Sequence, residues 1–320
     1  MTNKVYLVGA GTGDPELLTL KGLRLLKSAD VVVYDRLVNQ ILLYLTKEEA
    51  QLVYVGKAPN AHAKSQSEIE DLLVNFAKNN KSVVRLKGGD PAIFGRVGEE
   101  MARLRAENIP YEVVPAVTAA SSVSSYADIA ITQRGIAERV LIMTPHETLA
   151  DFADLDLVAT LTATTLVLYM AVGNLPAILQ ALSSQAVPET MPIAVIENGT
   201  LPSQRTILSN LGDLSANLVQ KAPKNPALIV IGHAVKFGSD NSWFQQLPKF
   251  GKRILLVRRQ LPKFEEIIKF TSQGADIWLT LVGEKRQNRF ANLDKVRLTQ
   301  NFDEIVFRDG TSQADLDALI

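Results

Sequence analysis

Short β-branched runs alternate with amphipathic stretches along most of this chain, and that alternation constrains its fold more than any other feature. Strand-like runs fall at residues 5–8, 31–34, 51–55, 83–86, 111–114, 140–143, 165–169, 193–196 and 228–231. Helix-patterned stretches fall between several of them, at 15–27, 67–79, 97–107, 175–183 and 213–220. A strand followed by a helix that packs back on the sheet returns as a parallel neighbour. The expected class is therefore α/β, with largely parallel sheet and helical crossovers.

At 320 residues the chain exceeds the usual span of one domain. A composition shift at Val114-Pro115-Ala116 opens the stretch AVTAASSVSSYADIA, almost entirely small residues. Small side chains let a helix lie close to a neighbour or a ligand, and the sequence leaves both uses open. The boundary placed there gives an N-terminal α/β domain over 1–115 and a second over 116–237. The polar stretch FGSDNSWFQQLPKFG marks a linker over 238–251, and a last module fills 252–320. So small a module rarely stabilises itself and is expected to dock on something larger.

Composition removes several classes of function. Lys+Arg and Asp+Glu are equal at 34 each, so no global basic field favours nucleic acid or an anionic membrane. There is no cysteine, which excludes disulfides, thiolate metal sites and cysteine nucleophiles. His62, His146 and His233 are scattered and offer no metal-ligand spacing. The chain runs into its first strand without a secretory pattern, and its apolar runs fall far short of the ~20 residues of a membrane span. A cytoplasmic protein without a metal is the expectation.

The first loop, VYLVGAGTGDPELLTL, resembles a dinucleotide-binding turn and fails its test. The fingerprint needs G-x-G-x-x-G, whereas Gly9, Gly11 and Gly13 give G-x-G-x-G, with Asp14 where the last glycine belongs. Asp14 is suited to cap a helix with its own carboxylate, and Pro15 has no N–H to offer a pyrophosphate. The glycines leave backbone open to a flat ligand, or simply make a tight turn.

Other candidate chemistry lies at strand ends. LKGGDPAIFGR, 86–96, makes an irregular turn carrying Asp90, at the edge where ligands bind in open α/β sheets. VVVYDRLVN sets Asp35 and Arg36 just after a buried strand, and YVGK sets Lys57 after the next. A carboxylate and an amine at adjacent strand ends can serve as base and acid, or merely pair on the surface. Arg36, Lys57, Arg85, Lys87, Arg96 and Arg134 would suit a polycarboxylate if they converge.

Taken in order, GAGTGDPELLTLKGLRLL, YDRLV, YVGK, RLKGGDPAIFGR, EVVPAVTAASS, LYM and AVIENGT resemble the tetrapyrrole methyltransferases, and within them the uroporphyrinogen-III C-methyltransferases. The likeness runs from Val5 to Val235. It implies two α/β domains with S-adenosylmethionine in a trough between them. Thr12, Gly88, Gly89, Asp90, Ile93, Thr118, Ala119, Met170, Gly199 and Ala227 match the family's cofactor positions. Asp35 matches its proton acceptor and Lys57 its proton donor, while Arg36, Arg96 and Arg134 are candidate substrate contacts. The implied reaction methylates C2 and C7 of uroporphyrinogen III to give precorrin-2, for siroheme and cobalamin, in a homodimer. Two rival readings are a methyltransferase acting on a later corrin intermediate and a non-catalytic tetrapyrrole-binding protein.

The chain departs from the family pattern at Thr12 (usually proline), Ala92 (often aromatic), Ala116 (usually glycine), Gln133 and Pro145. Its tail, RILLVRR followed by FDEIVFRDGTSQADLDAL, is similar to the opening lobe of uroporphyrinogen-III synthase. It covers only part of that enzyme and is read as a degenerate module without synthase activity.

Overall fold

A computed structural model describes residues 4–56, 64–79, 81–145, 152, 154–283, 288–297 and 299–318. It divides into two compact units, Met1–Val117 with Gly251–Ile320, and Thr118–Phe250.

The first unit is built on five parallel strands, β1 (Val5–Gly9), β2 (Val31–Tyr34), β3 (Gln51–Tyr54), β4 (Val83–Lys87) and β5 (Tyr111–Val114), in the order β3-β2-β4-β1-β5. Helices α1 (Leu20–Ser28), α2 (Gln66–Lys78) and α3 (Val97–Ala106) make the crossovers. One face of the sheet, with Leu7, Val31, Val33 and Val83, packs with Leu73, Val97 and Leu104 of α2 and α3. The other face, with Val8, Val32, Val84 and Leu86, packs with Leu25 and Leu26 of α1 and with Ile41 to Leu45.

Asp14 was expected to cap the first helix. It caps instead a short 3-10 helix, Pro15–Leu17, through Glu16 N at 2.9 Å. The α-helix starts later, where Thr19 Oγ1 accepts from Gly22 N at 3.0 Å. Pro15 favours only the first turn, and a second hydroxyl cap three residues before Gly22 then outcompetes a continuous helix.

The second unit holds β6 (Arg139–Met143), β7 (Thr164–Tyr169), β8 (Pro192–Glu197), β9 (Arg205–Asn210) and β10 (Ala227–Ile231), in the order β6-β7-β10-β8-β9. Only β6 and β7 pair in parallel; β10 runs antiparallel to both β7 and β8, and β9 antiparallel to β8. The expectation of largely parallel sheet thus fails here. The turn at 198–204 is too short for a crossover, so β9 folds back as a hairpin partner. The small-residue stretch forms α4 (Ala119–Ser125), whose Ala120 and Val123 pack on Val167, Ala194, Ile196 and Val230.

Residues 252–320 do not stand apart. Their three parallel strands, β11 (Arg253–Arg258), β12 (Asp276–Leu281) and β13 (Glu304–Phe307), are ordered β12-β11-β13. Ile254, Leu256, Ile277, Leu279 and Phe290 join the same core as Leu25, Ile41 and Leu86. A three-stranded sheet exposes too much apolar surface to persist alone, and sharing the core of the first unit covers it. The stretch expected as a linker is likewise packed within the second unit: Ser242 Oγ donates to Tyr126 O at 2.6 Å, and the Trp243 and Phe244 rings pack edge-on and tilted against the Tyr126 ring. Among the described residues no helix is long and apolar enough to cross a membrane.

Candidate active site

In the first unit, the C-terminal strand ends collect the loops singled out above. The β1 and β4 loops touch through their backbones, where Gly89 N donates to Gly11 O at 2.7 Å and Ala10 N to Lys87 O at 2.8 Å. Asp90 ties this pair to the end of β5: its Oδ1 accepts from Ala92 N and its Oδ2 from Ala116 N, each at 2.8 Å. Thr12, Gly88, Gly89, Asp90 and Ile93 therefore lie on touching loops, with Ile93 exposed.

Asp35 follows β2 directly. Its Oδ1 accepts from Leu37 N at 3.1 Å, and its Oδ2 lies 3.4 Å from Arg85 Nη2. The side chain is 27% exposed, so the carboxylate is oriented yet reachable. Arg36 beside it is exposed. Lys57 lies outside the described residues, as do His62 and His146.

Two of the basic residues expected to face a ligand are interior. Arg85 and Lys87 share one side of β4 and are both 4% exposed, above a fully buried Glu100 of α3. Lys87 Nζ lies 2.8 and 2.9 Å from the Glu100 oxygens, and Arg85 Nε lies 3.2 Å from Oε1. Burial pushes the Lys87 ammonium below the ordinary lysine range, with Glu100 opposing and Arg85 assisting. Charges this deep must be paired, and they face the helix because the alternation of β4 points them there. Arg96, by contrast, is exposed and holds Glu99 with two hydrogen bonds of 2.8 and 2.6 Å.

In the second unit, β7 and β8 end where β10 begins, and the remaining candidates gather at that edge. Tyr169 Oη accepts from Ala120 N at 2.7 Å and shares a 2.6 Å hydrogen bond with Thr118 Oγ1, so it takes the place of a cap on α4. Thr118 and Ala119 are thereby held beside Met170, which is 62% exposed with φ +55°. Ala227 pairs with Glu197, and Asn198 N donates to Pro226 O at 2.9 Å, which fixes Gly199 close to both. Asn198 and Thr200 have φ of +48° and +65°, a strained geometry for side-chain-bearing residues and an exceptional one for a β-branched threonine. Arg134 is exposed at the tip of a turn closed by Gln133 and Ala137, which exchange two 2.8 Å backbone hydrogen bonds.

The profile of the tetrapyrrole (corrin/porphyrin) methylases matches residues 4–215. The chain belongs to this family. It is 45% identical over 244 residues to a siroheme synthase of Azotobacter vinelandii, covering 76% of this chain and 52% of that protein. A uroporphyrinogen-III C-methyltransferase of Bacillus subtilis is 39% identical over 310 residues, 95% of this chain and 63% of the relative. The chain thus spans between about half and two thirds of the length of these curated relatives. The crystal structure of uroporphyrin-III C-methyl transferase from Thermus thermophilus, complexed with S-adenyl homocysteine, is 38% identical with a TM-score of 0.60, covering 73% of this chain and 99% of that one.

Against the usual tetrapyrrole methylase pattern, the departures have visible surroundings. Ala116 fits because its Cβ faces Gly9, where any side chain would stand 2.5 Å from it. Ala92 contributes its N–H to Asp90, which any residue but proline supplies. Pro145 O accepts from Asn174 Nδ2 at 3.2 Å. The reading of the sequence gave no role to Glu100, Tyr169 or Asn39. Glu100 had a signal, since it interrupts the apolar stripe set by Val97 and Leu104. Among the described residues no three His, Asp or Glu stand together as a metal site.

Proposed function

We propose that this chain transfers methyl groups from S-adenosylmethionine to C2 and C7 of uroporphyrinogen III, giving precorrin-2, the precursor of siroheme and cobalamin. The observation that carries this reading is the oriented, partly exposed Asp35 carboxylate beside two touching glycine loops, in a chain of the tetrapyrrole methylase family.

The loops suit the methyl donor. Gly89 has φ +69°, and a Cβ built there meets nothing within 4 Å, so a flat adenosyl group can approach the backbone closely. By the family resemblance, Thr12, Gly88, Gly89, Asp90, Ile93, Thr118, Ala119, Met170, Gly199 and Ala227 would hold it. Asp90 already spends one lone pair of each oxygen on the loops, which leaves others for a ligand. When bound, the donor supplies an activated sulfonium methyl group.

The protein's own part is orientation and proton handling. A pyrrole carbon in line with the sulfonium needs no added nucleophile, so positioning dominates. Each methyl group added requires one ring proton to leave, which Asp35 accepts, and any proton that Lys57 supplies as the ring tautomerises is matched by a further one lost. Arg36, Arg96 and Arg134 hold substrate carboxylates through charge-assisted hydrogen bonds. Arg85 and Lys87 have no such contact in this reading, being committed to Glu100. The C-terminal module is assigned no synthase chemistry. The family likeness is the ground for a homodimer, and the lack of cysteine fits a reducing compartment such as the cytoplasm.

Asp35→Ala and Lys57→Ala variants test the assignment. Each should lose roughly 10²–10⁴ in turnover while binding S-adenosylhomocysteine as the parent does. A parent protein that binds it yet methylates no tetrapyrrole would instead be a non-catalytic binding protein.

A further inference from the structure

The loop proposed to hold the methyl donor is gripped from outside the family's matched region, by the C-terminal module. Glu16, in the 3-10 helix that follows the loop, gives its N–H to Asp14 and its carboxylate to the module. Thr271 Oγ1, on the helix Phe264–Thr271, donates to Glu16 Oε1 at 3.0 Å. Leu17, next along, backs on Gly11, whose Cα lies so close that an added Cβ would meet Leu17 at 3.1 Å. Thr271 is therefore linked to the loop through Glu16 and Leu17.

A second grip reaches the loop by way of Asn39, four residues after Asp35. Asn39 Nδ2 donates to Gly13 O at 2.7 Å, while its Oδ1 accepts from Ile41 N at 3.1 Å and caps the 3-10 helix Gln40–Leu45. The module clamps that helix. Tyr44 Oη donates to Leu279 O at 2.9 Å, and its ring stacks on Phe290 at 4.3 Å. Arg289 Nη1 donates to Thr46 Oγ1, Lys47 O and Ala50 O at 2.9, 2.7 and 3.1 Å. The segment that carries the proposed base is thus pinned between the donor loop and the module.

We infer that the C-terminal module sets the affinity for the methyl donor, with Thr271 and Asn39 as positioning residues that act through Glu16 and Gly13. This rests on the reading of residues 9–14 as part of the donor site. The family profile ends at residue 215, so the module adds a control that the matched region alone does not provide. Neither residue touches the reacting atoms, so the expected signature is a weakened donor with turnover at saturation kept.

Calorimetric titration of the full chain with S-adenosylhomocysteine tests this, alongside kcat and KM for S-adenosylmethionine. Thr271→Val and Asn39→Ser should each weaken binding by roughly 3–10-fold, the range of one lost hydrogen bond, with kcat within about twofold. Thr271→Ser, which keeps the hydroxyl, should restore parental binding. Arg259→Ala, which breaks a surface pair with Asp315 elsewhere on the module, should leave binding unchanged. Parental affinity in Thr271→Val overturns the inference whatever Asn39→Ser does, because Asn39 lies outside the module. A lowered binding stoichiometry at unchanged affinity also overturns it, since the module would then only stabilise the fold. Parent protein that binds no S-adenosylhomocysteine overturns the functional reading, and this inference with it.

Discussion

Lys87 and Glu100 meet in a buried two-point ion pair, Nζ standing 2.8 and 2.9 Å from the two carboxylate oxygens. Arg85 shares the same carboxylate and reaches Asp35 with its other arm. Two interior bases therefore face two acids, the buried Glu100 and the half-buried Asp35, and Glu100 anchors the guanidinium that orients the proposed catalytic carboxylate. Glu100→Gln leaves the buried Lys87 without its counter-charge and should cost about 3–5 kcal/mol of stability. Chemical denaturation measures it, and a parental midpoint would refute the arrangement.

Gly9 and Ala116 occupy one small space. A Cβ on Gly9 would stand 2.5 Å from Ala116 Cβ, 2.7 Å from Gly89 O and 2.9 Å from Pro91 Cδ. Gly9→Ala should destabilise by about 1–3 kcal/mol, as overpacking does, and weaken binding of S-adenosylhomocysteine. Adding Ala116→Gly should recover part of the loss but not all, because Gly89 O and Pro91 remain. A double-mutant cycle over thermal midpoints and binding constants reads the coupling.

Tyr34 predicts an alkaline limit to stability. Burial, with a smaller push from Tyr54, raises its phenol from 10 to about 12. The folded state holds the phenolic proton more tightly than the unfolded chain, so this contribution is complete below pH 10 and is lost as pH rises through about 12. Its size is on the order of 3 kcal/mol. Tyr34→Phe should flatten the alkaline fall in denaturation midpoint, and an unchanged slope would show that the group is not held in this way.

Arg36 and Arg134 are exposed and are proposed to hold carboxylates shared by ground and transition states. Arg36→Ala and Arg134→Ala should raise KM for uroporphyrinogen III several-fold with kcat nearly unchanged. The effect should shrink at high salt, where exposed charges are screened. Loss of kcat at constant KM would argue for a different role.

Much of this was legible in the sequence, and the failures have physical causes. The run VVVY reads as a strand because buried parallel strands are continuously apolar, and β2 is buried throughout. β9, RTILSN, has only two apolar residues, both half-buried, and its one buried position is a threonine, which leaves little period to read. Strand direction in the second sheet depends on connection geometry, which periodicity does not encode. The glycine loops and Asp35 stood out because their residue types are unusual at strand ends. Arg85 and Lys87 misled for the same reason: a sequence shows charge near an edge but not the Glu100 that turns it inward. Asn39 carried the local signal of a helix cap before an apolar run, but not its bond to Gly13, which is remote in the chain.

The central claim is methylation of uroporphyrinogen III, and product mass tests it most directly. Purified chain should be incubated with S-adenosylmethionine and uroporphyrinogen III generated in place, with the tetrapyrrole then weighed by mass spectrometry. The expected product carries two added methyl groups, with S-adenosylhomocysteine released in matching amount. An unchanged tetrapyrrole mass under conditions where S-adenosylhomocysteine binds, or methylation confined to a later corrin intermediate, would contradict it.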